Sequence, residues 1–190
     1  MKDKGVIIGL LIIAALLPGC KGGGQQQAGT AGAPAGQKAG QGQQPYYYGL
    51  IQEYQTVLAE DPRNLAATIA LGNAYYDAGQ WKEAIRYYEQ ALTLDPHNAD
   101  VISDMGTSFR NLGMPDRALL QYQKALEIEP GHQNALFNIG IVNAYDKKDY
   151  AAAIRVWERL LHVAPKHPKS DYMKTCMVNF KKALKREGGR

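Results

Sequence analysis

Six side chains in this sequence are of types that attack, ligate or move protons near neutral pH: His97, His132, His162, His167, Cys20 and Cys176. A bound metal or haem needs such groups presented together, on one helical face at i, i+4 or as closely spaced cysteines. His162 and His167 stand five apart, off that spacing, and the two cysteines lie at opposite ends of the chain. There is no Cys-x-x-Cys-His run, no glycine-rich phosphate loop and no serine–histidine pattern. His97, His132 and His167 each follow a proline by one or two residues, which makes them turn residues first. The reading is therefore a chain without a catalytic residue, a metal site or a cofactor: not an enzyme. Cys176 sits beside Met177 and near Met173 as a small hydrophobe; an exposed thiol that pairs with another chain is the alternative.

Cys20 has a context of its own. Lys2 and Lys4 give a positive start, Val6 to Leu17 is apolar apart from Gly9, and the run breaks at Pro18 and Gly19. A membrane span takes around twenty apolar residues, so this run is too short, and its flanks fit a secretory signal. The ending Leu17-Pro18-Gly19-Cys20 resembles the lipobox of bacterial lipoproteins. That resemblance implies cleavage after residue 19, lipidation at Cys20, and a membrane anchor made of several acyl chains, enough for stable attachment. It implies the bacterial cell envelope: with Lys21 rather than aspartate after the cysteine, the outer membrane facing the periplasm in a Gram-negative host, or the outer face of the plasma membrane in a Gram-positive one.

Residues 20–45 hold the cysteine and then a tract of Gly, Gln and Ala without apolar periodicity. Such a tract buries too little to offset its ordering entropy and reads as a flexible tether. The net charge of +4 is uneven: acidic residues outnumber basic ones up to Pro165, and basic residues dominate from Lys166 onward. A nucleic-acid binder carries its basic residues on the folded face that docks, so no nucleic-acid partner is expected. The basic end, with Lys174, Lys181, Lys182, Lys185 and Arg186, reads as a solvated helix face, with an anionic surface as the alternative.

From Pro45 the texture changes. Pro62, Pro96, Pro130 and Pro165 recur at 34, 34 and 35 residues. In phase with them stand Leu71-Gly72, Met105-Gly106 and Ile139-Gly140, then Ala84 and Ala118, then Tyr54, Tyr88 and Tyr122. This order of small and large residues at a 34-residue period resembles the tetratricopeptide repeat, a helix–turn–helix unit. The fold expected is all-α: a short right-handed superhelical stack of helix pairs, an α-solenoid, with a C-terminal capping helix. A lone helix lies in 46–64, about Tyr48 to Glu60. Three repeats occupy 65–167, as 65–98, 99–132 and 133–167, and 168–190 forms the cap and basic tail. Small residues at Gly72, Gly106, Gly140, Ala84 and Ala118 let paired helices approach. Gly79 and Gly113 end the first helices, and Asn64 and Asn98 are N-caps. The third repeat has one residue more, with Lys147-Lys148 in place of the turn glycine and Trp157 in place of the tyrosine. A looser turn at Asp146–Asp149 is expected there.

Such repeats present a concave groove lined by the first helices of successive pairs. The resemblance places Ile69, Asn73, Tyr76 and Asp77 there, then Ser103, Thr107, Arg110 and Asn111, then Phe137, Ile141 and Tyr145. It implies a scaffold that binds a protein or peptide ligand in this groove, in pilus, secretion or outer-membrane assembly. The subtype that clamps the carboxyl end of chaperones uses Lys and Arg beside Asn. Asn73 fits it, but Ile69, Asp104, Phe137 and Ile141 do not, and without cations a terminal carboxylate has little to hold it. A non-catalytic subunit of an envelope enzyme or electron-transfer complex is the alternative, and self-association through exposed repeat faces stays open.

Overall fold

The computed structural model describes residues 44–187. The signal, Cys20 and nearly all of the tether lie outside the described residues. Within them every regular element is a helix: α1 (Gln44–Glu60), α2 (Leu65–Asp77), α3 (Trp81–Leu94), α4 (Ala99–Asn111), α5 (Pro115–Ile128), α6 (Gln133–Ile141), α7 (Tyr150–Val163) and α8 (Ser170–Glu187). A π-helical turn, Val142–Asp146, continues α6. α2 packs on α3, α4 on α5 and α6 on α7, and each pair rests on the next, with α1 and α8 at the two ends. This is the helical solenoid expected from the period. α1 starts at Gln44, earlier than the sequence pattern suggested.

Local chemistry sets the boundaries. The Asn64 and Asn98 side chains accept from the backbone N–H of Ala67 at 3.0 Å and Val101 at 3.1 Å, which caps α2 and α4. At the other ends Gly79 and Gly113 take positive φ, 75° and 74°. There Gly79 N donates to Tyr76 O and Gln80 N to Tyr75 O, and Gly113 and Met114 repeat the pattern with Arg110 O and Phe109 O. This closure satisfies the last carbonyls of each helix, and glycine adopts it without a Cβ penalty.

The core forms where second helices meet first helices. Tyr88, Tyr122 and Trp157 are almost wholly buried, each in the same place within its pair. An aromatic ring of this kind removes about 150–250 Å² from water, roughly 4–6 kcal/mol before entropic costs. The approach depends on the glycine opposite. A Cβ on Gly72 would lie 2.7 Å from Tyr88 Cε1, and one on Gly106 2.7 Å from Tyr122 Cε1. Gly140 bears the same relation to the Trp157 indole.

The third pair departs from the expectation of a simple loose turn. Its additional residue is absorbed inside the first helix, by the π-helical turn, and not by a longer loop. Lys147 N donates to Val142 O, five residues back, and Lys148 then takes the left-handed place of Gly79 and Gly113 at φ 57°. Such single-turn π bulges are how a helix accommodates an inserted residue.

Candidate binding face

The side chains of the first helices join one pair to the next along a single face. Asn111 Nδ2 on α4 donates to the Tyr76 hydroxyl on α2 at 3.0 Å. Asn138 Nδ2 on α6 reaches Thr107 Oγ1 on α4 at 3.4 Å. Arg110 on α4 forks onto Asp146 after α6, Nε to Oδ2 at 2.5 Å and Nη2 to Oδ1 at 3.3 Å. The Tyr145 and Tyr172 hydroxyls meet at 2.7 Å and tie the π-helical turn to α8.

The second helices reach the same face from behind. Tyr88 OH donates to Asn73 Oδ1 at 2.8 Å, and Tyr122 OH to Thr107 Oγ1 at 3.2 Å. The polar end of each core tyrosine is thus satisfied by a position on the preceding helix, as a buried hydroxyl requires. Trp157 makes the corresponding bond to backbone, from Nε1 to Phe137 O at 3.1 Å.

The positions picked from the sequence divide into two sets. Ile69, Asn73, Thr107, Arg110, Asn111, Phe137 and Tyr145 are half-buried, and Asp77 is exposed. Tyr76 is buried with its hydroxyl bonded. Tyr76, Ser103 and Ile141 are all buried, at 8%, 1% and 7% exposure, and offer almost no surface to a partner, contrary to the expectation for them. Ile141 belongs to the core around Trp157 and Phe180, drawn in where the π-helical turn begins. Phe137 stacks on His167 and Trp157, with centroids at 5.8 and 6.2 Å, and so closes the C-terminal end of the face.

Charge on this face is negative in the middle. Asp104, named in the sequence only as a mismatch to the clamp pattern, lies among the carboxylates there. Burial, and then the neighbouring Asp100 and Asp77 carboxylates, push its pKa up to about 7. Burial also raises Asp77, although the residue as a whole stays exposed. Tyr76 is pushed up to about 12, chiefly by burial and against the lowering effect of its bond from Asn111. Tyr88 and Tyr122 are raised above the ordinary tyrosine range for the same first reason. Buried groups become harder to ionise because the charged form loses hydration.

Two of the histidines play structural parts. His132 is buried; its Nδ1 accepts from Ala135 N at 3.1 Å and caps α6, while Nε2 lies 2.9 Å from Asp100 Oδ1. His167 Nδ1 accepts from Lys169 N at 3.1 Å. Burial, helped by Lys169, lowers the His167 pKa. His97 and His162 are exposed. Cys176 is buried, with Sγ 3.7 Å from the Tyr145 hydroxyl. Among the described residues no three His, Cys, Asp or Glu side chains converge as a metal ion would require.

Two tetratricopeptide-repeat family models match the chain, over residues 66–98 and 103–171, together more than half its length. Solved structures of similar fold include MamA, at 19% identity and TM-score 0.59, covering 76% of this chain and 92% of that one. The Sgt2 repeat domain from Aspergillus fumigatus is similar at 22% identity and TM-score 0.59, covering 66% and 82%. The first repeat domain of Spaghetti (RPAP3), solved with the HSP90 peptide SRMEEVD, is similar at 19% identity and TM-score 0.58, covering 65% and 95%. No curated protein matches the sequence.

Proposed function

The chain belongs to the tetratricopeptide-repeat family, and from that premise we propose that it is a lipid-anchored scaffold of the bacterial envelope. Its α2–α4–α6 face takes a peptide or helix of another envelope protein. The observation that carries the reading is the face itself, where side chains from three helix pairs are held by hydrogen bonds within each pair and between neighbouring pairs. Asn73, Thr107 and Asn111 are held in place before any partner arrives. Preorganisation of this kind lowers the ordering cost of binding. Peptide binding by a similar fold, in the structure solved with SRMEEVD, supports the same use.

The lipobox-like Leu17-Pro18-Gly19-Cys20 supports attachment at Cys20, with the Gly/Gln/Ala tract as the spacer between lipid and repeats. A flexible chain of about 25 residues spans roughly 25–30 Å on average, room for the repeats to work clear of the bilayer. The reading assigns no catalysis to the chain. Pilus, secretion and outer-membrane assembly are the pathways in which such a tethered adaptor fits.

Affinity capture from detergent-solubilised envelopes tests the function, using the native chain beside Asp77→Arg and Cys20→Ser. The native chain should label with palmitate and retain a stoichiometric partner. Asp77→Arg should lose the partner with an unaltered melting curve, and Cys20→Ser should lose the label and the membrane association. Equal partner recovery from native and Asp77→Arg chains overturns the groove as the binding face, and palmitate labelling independent of Cys20 overturns the anchor.

A further inference from the structure

The two ends of the stack are half-pairs. α1 is in phase with the second helices α3, α5 and α7, yet among the described residues no first helix precedes it. α8 follows α7 as a first helix follows the pair before it, and no second helix comes after it among the described residues. The consequence shows at positions the repeats share. Ala84, Ala118 and Ala153 are wholly buried; Tyr88 and Tyr122, and likewise Ala91, Ala125 and Leu160, are wholly or almost wholly so. Their counterparts on α1 are Leu50, Tyr54 and Val57. The first two are only half-buried, and Val57 is 36% exposed. Tyr46, one turn before Leu50 on the same side, is exposed as well. Large apolar side chains thus stand open on α1 where every complete pair is closed, a mark of an interaction surface.

The chain's own preceding segment does not supply the cover. Residues 21–43 consist of Gly, Gln, Ala, Lys, Thr and Pro and hold no large apolar side chain, and the apolar run before them reads as the signal. The complement lies at the other end of the stack. Lys174, Val178, Lys182 and Lys185 run along the solvent side of α8, opposite the buried Met173, Met177 and Phe180, and Val178 is 53% exposed. Lys181 is held by Glu158 at 2.8 Å and Lys174 lies 3.9 Å from Asp171, whereas Lys182 and Lys185 have no ion-pair partner among the described residues. α1 carries Glu53 and Glu60 and no basic residue.

We infer that α8 of one copy closes the open side of α1 of a second copy, so that the solenoid continues from chain to chain. Laid antiparallel, the two helices match in one register. With Val178 against Val57, Lys182 falls beside Glu53, four residues along each helix. In the other direction Lys174 falls beside Glu60, four and three residues along. Opposite charges flanking an apolar contact fix both the register and the partner. Each contact joins two different surfaces and leaves an α1 and an α8 free at the ends, so it builds chains of copies rather than closed dimers. One helix pair buries little area, and confinement of anchored copies to one membrane raises their effective concentration to offset this. None of these residues belongs to the α2–α4–α6 face, so the inference stands or falls apart from the peptide-scaffold reading.

Cysteine crosslinking of the full chain in intact cells tests it, with a short membrane-permeant bismaleimide. The parent chain, which carries Cys20 and Cys176, sets the baseline. The double variant Val57→Cys/Val178→Cys should give a ladder of linked species above that baseline, joined from position 57 to position 178 by mass spectrometry. Glu53→Lys in the same chain should cut the ladder roughly fivefold or more, and adding Lys182→Glu should restore it. All four positions are exposed, so the circular dichroism of the purified variants should match that of the parent. Absence of the ladder overturns the inference, as does a ladder indifferent to Glu53→Lys or not restored by Lys182→Glu. Linked dimers from Val57→Cys alone would show a symmetric contact through α1 and overturn the head-to-tail arrangement. Linkage of position 57 to a different protein, without the ladder, would overturn it in favour of another occupant.

Discussion

The Tyr88 hydroxyl donates 2.8 Å to Asn73 Oδ1 while the ring below it packs on Gly72. One side chain thus joins the core of a helix pair to the face where a partner would lie. The consequence is testable at Gly72. An added Cβ would meet the ring at 2.7 Å, and the ring, buried on all sides, has nowhere to retreat. Gly72→Ala should destabilise by about 1–3 kcal/mol despite the better helix propensity of alanine. Thermal unfolding followed by circular dichroism reads it directly, and Gly49→Ala, where a Cβ meets nothing within 4 Å, should behave oppositely.

His132 occupies the capping place of Asn64 and Asn98 with an imidazole. Its Nδ1 serves as the acceptor for Ala135 N–H, the role of an Asn Oδ1 at the other two helices. His132→Ala should cost about 1 kcal/mol or more through the lost cap, and His132→Asn should restore much of it. Equal destabilisation by both would show that the Asp100 contact or the ring's packing dominates instead.

Lys148 stands in the left-handed region where the first two repeats have glycine. A non-glycine residue pays roughly 1–2 kcal/mol for that conformation. Lys148→Gly should therefore stabilise by up to about 1 kcal/mol, the remainder being offset by the greater freedom of glycine in the unfolded chain. Chemical denaturation midpoints of the two proteins decide it.

Much of this architecture is legible in the sequence, because the repeat period forces the same local solutions again and again. Asn64, Asn98, Gly79 and Gly113 do in the structure what their residue types predict. The third repeat was less legible, for a physical reason: an inserted residue can go into a loop or a helix, and the sequence count is the same for both. The π-helical turn chose the helix, drew Ile141 into the core and placed Tyr145 against Tyr172. Ser103 was misread because helical phase gives direction and not depth. Asp104 could have been found: it lies one turn after Asp100, and the phase that faces α2 offers no cation to meet it.

Asp104 also ties stability to pH. Its folded-state pKa is about 7, above the ordinary value of 3.8, with burial the first cause. The folded chain therefore holds this proton more tightly than the unfolded chain between those values. Its contribution is fully present below about pH 4 and is lost as pH rises through 7. Asp104→Asn should flatten that part of the profile and stabilise at pH 8 by on the order of 1–2 kcal/mol, with little effect at pH 4. Parallel urea titrations at the two pH values measure the difference.

The central claim is that the α2–α4–α6 face holds a partner, and in-cell photo-crosslinking addresses it most directly. A photoreactive residue in place of Asp77 lies on the face, and one in place of Lys124, exposed on α5, serves as the control. The account predicts one envelope protein crosslinked from position 77 and not from 124, identified by mass spectrometry. Capture that is equal from both positions, or confined to position 124, would contradict it.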